Sequence, residues 1–171
     1  MDAVQRRTAL ADCLKRAREP ISAATLAGRF SVSRQIIVGD IALLRAGGLE
    51  ISATPRGYVM PRDQGGQLYT VACVHTPEGM ARELEIMVDN GCTVVDVVVE
   101  HPLYGQLTGP LQLSSRYDVQ QFLNKVACSD AKPLADLTGG VHLHTLRCPD
   151  GEAYRRVLEQ LEQTGFLYQS Q

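Results

Sequence analysis

The chain has 171 residues and a formal net charge of −2, a length that suits one domain or two small ones. Five cysteines without a C-x-x-C pair argue against a disulfide framework. No apolar stretch near either end is long enough for a signal peptide or a membrane span, so the expected setting is the reducing cytoplasm. The small total charge hides an asymmetry. Residues 1–62 carry ten Lys or Arg against five Asp or Glu, a net +5, whereas residues 63–171 carry seven against fourteen, a net −7. A basic half suits nucleic acid; an acidic half adds little to phosphate binding and suits sensing or subunit assembly.

In chain order, Leu10, Cys13, Leu14 and Ala17 form a helical stripe that Pro20 ends. Ile21 and Ser22 offer a hydrophobic staple and an N-cap to a short second helix from Ala23 to Arg29, with Leu26, Ala27 and Phe30 facing inward. Ser31 to Ser33 form a turn, and Ser33 caps a third helix. There Ile37, Ile41 and Leu44, flanked by Ile36 and Leu43, predict one broad buried face. Gln35, Val38, Gly39 and Ala42 lie opposite; residues this small let a helix approach a second surface closely. Gly47-Gly48 stops the helix. Leu49 to Met60 alternates on both sides of Pro55-Arg56-Gly57, which predicts a β-hairpin with a basic tip. Three helices and a hairpin make a winged helix-turn-helix over residues 1–62. Its groove-facing residues are Ser33, Arg34, Gln35, Val38 and Gly39, with Arg56 at the tip reaching toward phosphate or the minor groove. Arg45, at the far end of the third helix, is as well explained by surface charge, and Asp40 suits an intramolecular ion pair because a carboxylate repels DNA.

Pro61 to Gln67 has the composition of a linker. From residue 68 to 171 the pattern alternates. Leu68–Val74 predicts a strand. Thr76 and Pro77 predict a helix start, with Met80, Leu84, Met87 and Val88 as its buried stripe and Asn90-Gly91 as its stop. Thr93–Glu100, almost continuously apolar, predicts a central strand, and Gln106–Leu113 its partner after a turn through His101–Gly105. Ser115 and Asp118 fit a capping box for a helix carrying Val119, Phe122, Leu123 and Val126. Val141–Cys148 is the last strand, and Tyr154, Val157, Leu158 and Leu161 mark a final helix. The order β-α-β-β-α-β-α predicts an α+β, two-layer domain with helices on one face of a mainly antiparallel sheet.

All four histidines fall in this acidic half. His142 and His144, two apart on a strand, leave the same face with Cα atoms roughly 6.6 Å apart, so both imidazoles can reach one metal ion. His75 at the end of the first strand offers a third nitrogen and Glu83 an oxygen, with Glu85 a second candidate. Spacing alone also allows surface or hydrogen-bonded histidines. Cys73 and Cys148 share these strand faces and are either soft ligands or small buried hydrophobes. His101, beside Pro102, reads first as a turn histidine.

The run from Leu26 to Gly47, followed by Ile51-Ser-Ala-Thr-Pro-Arg-Gly-Tyr58, resembles the nicotinate-responsive repressors of NAD biosynthesis, in which a winged helix precedes a three-histidine (3H) regulatory domain. Gly39 departs from the pattern, standing where a longer polar side chain is usual. The resemblance implies an HPr-like second domain and a divalent metal held by His75, Glu83, His142 and His144. The Glu100–Gly105 segment also matches the family's pattern, which implies an effector pocket lined by His101 and Tyr104; Arg116 suits a partner for the effector's carboxylate by its charge, or a surface cation. Three nitrogens and one oxygen suit nickel, zinc or iron better than magnesium or calcium. The implied function is not enzymatic: a homodimeric repressor of NAD synthesis and niacin uptake genes, binding double-stranded operator DNA with nicotinate as corepressor. Two other classes are a metal-responsive regulator, in which the ion is the signal, and a metal-dependent hydrolase with Glu85 or Glu78 as general base.

Overall fold

The computed structural model describes residues 1–62 and 64–169. Asp63 of the expected linker, and Ser170 and Gln171 at the end of the second expected domain, lie outside the described residues. The chain divides into two compact units, Met1–Asp63 and Gln64–Gln171.

The first unit contains α1 (Ala3–Arg16), α2 (Ala23–Phe30), α3 (Arg34–Ala46) and a two-stranded wing, β1 (Ser52–Thr54) and β2 (Gly57–Val59). Each helix begins on a polar cap. Asp2 closes a capping box with Gln5, the Ser22 hydroxyl accepts from the Thr25 amide, and the Ser33 hydroxyl accepts from the Ile36 amide. Leu10, Leu14, Leu26, Ile37, Ile41 and Ile51 form the core. The stripe of α3 is narrower than its sequence predicts. Ile36 and Leu43 are 42% and 57% exposed, because the small core reaches only the Ile37–Ile41 side of the helix. Asp40 is buried against Arg6, whose Nε donates to Oδ2 at 2.6 Å, with Arg7 at 3.7 Å, the intramolecular pair its position called for.

The wing is held from outside as well as by its own ladder. Ile21 and Tyr58 exchange two backbone hydrogen bonds of 2.9 Å, making a one-residue third strand. Gly57, at φ +136°, makes this possible, since a Cβ there would lie 2.3 Å from the Ile21 carbonyl oxygen. Gly57→Ala is therefore expected to destabilise this unit by about 3 kcal/mol, combining an unfavourable φ with a backbone clash. Denaturant unfolding monitored by a probe within residues 1–62 measures it; an unchanged midpoint counts against the contact.

The second unit runs β3 (Gln67–Val74), α4 (Met80–Asp89), β4 (Thr93–His101), β5 (Gly105–Leu113), α5 (Arg116–Ala127), β6 (Val141–Cys148) and α6 (Gly151–Gln163). This is the expected β-α-β-β-α-β-α order. The sheet is antiparallel throughout, in the order β3-β6-β4-β5. Leu84, Met87, Val119, Val157 and Leu161 of the helices pack with Val71, Val94, Leu111 and Leu146 of the sheet in one cluster, giving two layers.

Several local details differ from the sequence reading. Thr76 makes no side-chain cap. Pro77–Gly79 is instead a single 3-10 turn, and α4 starts at Met80; Pro77 opens the turn because it has no amide to leave unsatisfied, and the Thr76 hydroxyl serves the Glu78 carboxylate instead. The Ser115 cap is real, but the Asp118 carboxylate returns to the Ser114 amide at 2.9 Å, one residue before the box geometry. A 3-10 helix, Leu134–Thr138, and a return of the chain after α6 were not foreseen. That return places Phe166 and Tyr168 in backbone hydrogen bonds with Val74 and Ala72 of β3.

Candidate metal centre and nucleic-acid interface

The alternation of β6 buries His142, His144, Leu146 and Cys148 on the face toward the helices. In register on β3, Cys73 lies opposite His142 and Val71 opposite His144. His75 follows β3 directly, and its ring lies 5.2 Å, centroid to centroid, from Phe166 of the returning chain. Glu83, one turn into α4, points into the same space and is 1% exposed.

Four side chains meet there. Glu83 Oε2 lies 2.8 Å from His75 Nε2 and 3.3 Å from His144 Nε2, while Oε1 lies 2.9 Å from His142 Nε2. The other ring nitrogens are engaged with backbone carbonyls: His75 Nδ1 with Thr76 at 2.7 Å, His142 Nδ1 with Gly140 at 2.8 Å and His144 Nδ1 with Asp96 at 2.8 Å. A carbonyl accepts only, so each Nδ1 carries the proton and each neutral ring turns an Nε2 lone pair toward the carboxylate. The strand irregularity between Val94 and Asp96 sits beside the carbonyl that orients His144.

Acceptors facing acceptors across 3 Å require positive charge between them. Protons can supply it, and so can a metal ion. The chemistry of this donor set fits an ion: among the described residues buried His75 Nε2 has no hydrogen-bond partner despite its short approach to Glu83, and backbone carbonyls that accept from the second ring nitrogen are the usual outer partners of ligating histidines. Cys73 Sγ also approaches. One donor atom each from Cys73, Glu83 and His142 lies within 4.8 Å of the others. Burial and the Glu83 carboxylate push the Cys73 thiol far up, so without a metal it remains protonated.

The same contacts shift the other groups. Burial opposes a charged Glu83, but the facing imidazoles outweigh it and hold the carboxyl well below its ordinary range. Burial likewise opposes charge on His75 and His144, and the Glu83 carboxylate more than reverses it, raising both. In the metal-free protein the contribution from the raised histidines is complete below their unfolded value and lost as pH rises through their folded values. That from Glu83 is present above its unfolded value and lost as pH falls through its folded one. Metal-free stability is thus expected to fall as pH rises from the ordinary histidine value of about 6.5 through the raised folded values of His75 and His144, while metal affinity rises as protons leave the ligands. Urea midpoints of chelated protein across that range check the first, and chelator competition the second.

Of the residues expected around an effector, His101 and Tyr104 lie together, with ring centroids 5.0 Å apart, and Arg116 lies away from them. His101 Nδ1 accepts from the Leu103 and Tyr104 amides at 3.1 and 3.3 Å, as a turn histidine does, and Tyr104 is 70% exposed. Arg116 opens α5 beyond the far end of β5, roughly 26 Å of strand away. It is held by Asp89 at 2.6 and 2.8 Å, with Glu85 at 3.8 Å. Glu85 thus faces the α5 side, away from the histidines, and Glu78 is exposed on the 3-10 turn, so neither carboxylate stands beside the imidazoles as a base.

In the first unit Ser33, Arg34, Gln35, Val38 and Gly39 share the exposed surface of α3. A Cβ on Gly39 would meet nothing within 4 Å, so glycine there answers to no packing need within this unit. Arg56 at the wing pairs with Glu19 at 3.0 Å. Arg45 Nε donates to the Ile51 carbonyl at 2.7 Å and its guanidinium stacks over Tyr58, so it fastens α3 to the wing.

Residues 6–59 match the helix-turn-helix family HTH_11 and residues 69–170 match the 3H domain. The chain is 47% identical over 154 residues to the probable transcription repressor NiaR of Thermotoga maritima, covering 90% of this chain and 88% of that protein. It is 42% identical over 167 residues to the transcription repressor NadR of Bacillus subtilis, covering 95% and 92%. With a helix-turn-helix unit, a 3H unit and near full-length agreement with two repressors, the chain belongs to the 3H-domain family of DNA-binding transcription repressors.

Proposed function

We propose that the protein represses genes of NAD synthesis and niacin uptake when nicotinate is abundant. It does so as a homodimer carrying one divalent transition metal ion per subunit, nickel, zinc or iron, on His75, Glu83, His142 and His144. The observation that supports the metal is the set of three backbone-anchored imidazoles turning Nε2 onto one buried carboxylate. An ion held by these residues would supply a fixed positive charge and Lewis acidity suited to a pyridine nitrogen and a carboxylate, both of which nicotinate carries. The protein's own residues orient the rings, exclude water with Phe166 and the sheet, and tie α4 to β6. Tyr104 is exposed in the β4–β5 turn and His101 half-buried at the end of β4, both within reach of an effector there, while Arg116 must first leave Asp89.

On DNA, Arg34 and Gln35 at the start of α3 suit guanine or phosphate and adenine, and Val38 suits a thymine methyl. Ser33 and Arg56 contact phosphates, Arg56 by exchanging Glu19 for the backbone, and Gly39 allows close approach. A dimer presents two such helices to half-sites about one helical turn apart, so the operator is a near-palindrome. Corepression follows if nicotinate binds the DNA-competent dimer more tightly than the other state.

Calorimetric titration of nicotinate into the protein tests this, as isolated with its metal assayed and again after chelation, with nicotinamide as control. Binding that prefers the acid and vanishes with the metal supports the reading. A stoichiometric ion without nicotinate binding overturns it in favour of a regulator for which the metal is the signal.

A further inference from the structure

Cys92 and Cys148 take no part in the histidine cluster. Cys92 immediately precedes β4 and Cys148 ends β6, and these strands are antiparallel neighbours with Thr93 opposite Arg147. One more step of that register sets Cys92 opposite Cys148. Opposed antiparallel residues have Cα atoms about 4.5–5.5 Å apart, inside the roughly 4.4–6.8 Å window of a disulfide. The two Sγ atoms are already 2.8 Å apart. Unbonded heavy atoms ordinarily settle at about 3.5–4.0 Å and a disulfide bond is about 2.05 Å long, so only a small approach remains. Both thiols are buried, at 1% and 0% exposure. Burial pushes Cys92 up to about 12 and raises Cys148 as well, so both rest as protonated thiols.

We propose that Cys92 and Cys148 form a redox pair that closes into an intrachain disulfide when the protein meets a peroxide. Each thiol gives up one proton and one electron as the S–S bond forms. The O–O bond of hydrogen peroxide breaks, taking up both electrons and both protons to leave two waters. The new bond ties the turn after α4, the helix of Glu83, to the end of β6, the strand of His142 and His144. It therefore braces from the other end the same two elements that the histidine cluster joins.

The test uses the full chain with Cys13→Ser and Cys128→Ser, which leaves three of the five free cysteines. Native protein is treated with hydrogen peroxide, alkylated in denaturant, and mapped after trypsin. The expected result is a fall from three alkylatable thiols to one, with the tryptic segments 83–116 and 148–155 joined. Dithiothreitol reverses the link. The oxidised protein melts several degrees higher than the reduced one, a rise that Cys148→Ala abolishes. Three surviving thiols, a bond through Cys73, or oxidation to sulfinic acids without a link overturns the proposal.

Discussion

Glu83→Gln is expected to preserve the fold while lowering transition-metal affinity by on the order of 100-fold or more. Losing an outer partner of a ligand already costs about 10–100-fold, and here a charged donor itself is lost. The substitution keeps side-chain volume in a buried space, so the helix and sheet have no packing reason to move. It removes the one negative charge that three Nε2 atoms face at 2.8 to 3.3 Å. The glutamine amide instead donates to an imidazole lone pair, stabilising the metal-free site. His75 and His144 then titrate lower, because burial acts without the opposing carboxylate. Chelator competition measures the affinity and histidine NMR the titrations. Under the proposed function the same variant stays in the weak operator-binding state when nicotinate is added. Unchanged metal affinity with a native circular dichroism spectrum would falsify the role of Glu83.

Gly140→Ala disturbs the same site through the backbone. Gly140 has φ +95°, and a Cβ there would lie 2.5 Å from the His75 carbonyl oxygen, while the Gly140 carbonyl accepts from His142 Nδ1 at 2.8 Å. One methyl group therefore strains its own residue and shifts the supports of two histidines at once. A destabilisation of about 2–4 kcal/mol is expected, with metal affinity down by roughly 10–100-fold. Gly139→Ala is the control. Its φ is +65° but its Cβ would meet nothing within 4 Å, so only the left-handed backbone penalty of about 1–2 kcal/mol remains and the metal affinity holds. If both variants lose affinity equally, the His75 contact is not what matters at Gly140.

The clustering of Glu83 rather than Glu85 with the histidines shows what a helix adds to a motif. The two glutamates are two positions apart, so the helix turns them to different sides: one into the sheet, the other toward Arg116 on α5. The missed members of the neighbourhood share a cause. Phe166 reaches His75 only because the chain doubles back after α6 onto β3 through a few backbone bonds, and one short return has no periodicity to read. Ile36 and Leu43 have the opposite history: their spacing fits a buried face, but whether a second element exists to cover it is not written in the helix.

The sequence by itself determined the order of helices and strands, because periods of 3.6 and 2 and the caps at Ser22, Ser33 and Ser115 are local properties. It also determined that His142 and His144 share a face, since alternation along a strand needs no partner. Only the tertiary structure decided that Cys73 stands beside Glu83 and His142, that Arg116 belongs to Asp89, and that Cys92 meets Cys148. Those meetings join residues that are far apart in the chain or belong to different elements. They depend on strand register and helix rotation, which the packing of the whole core sets.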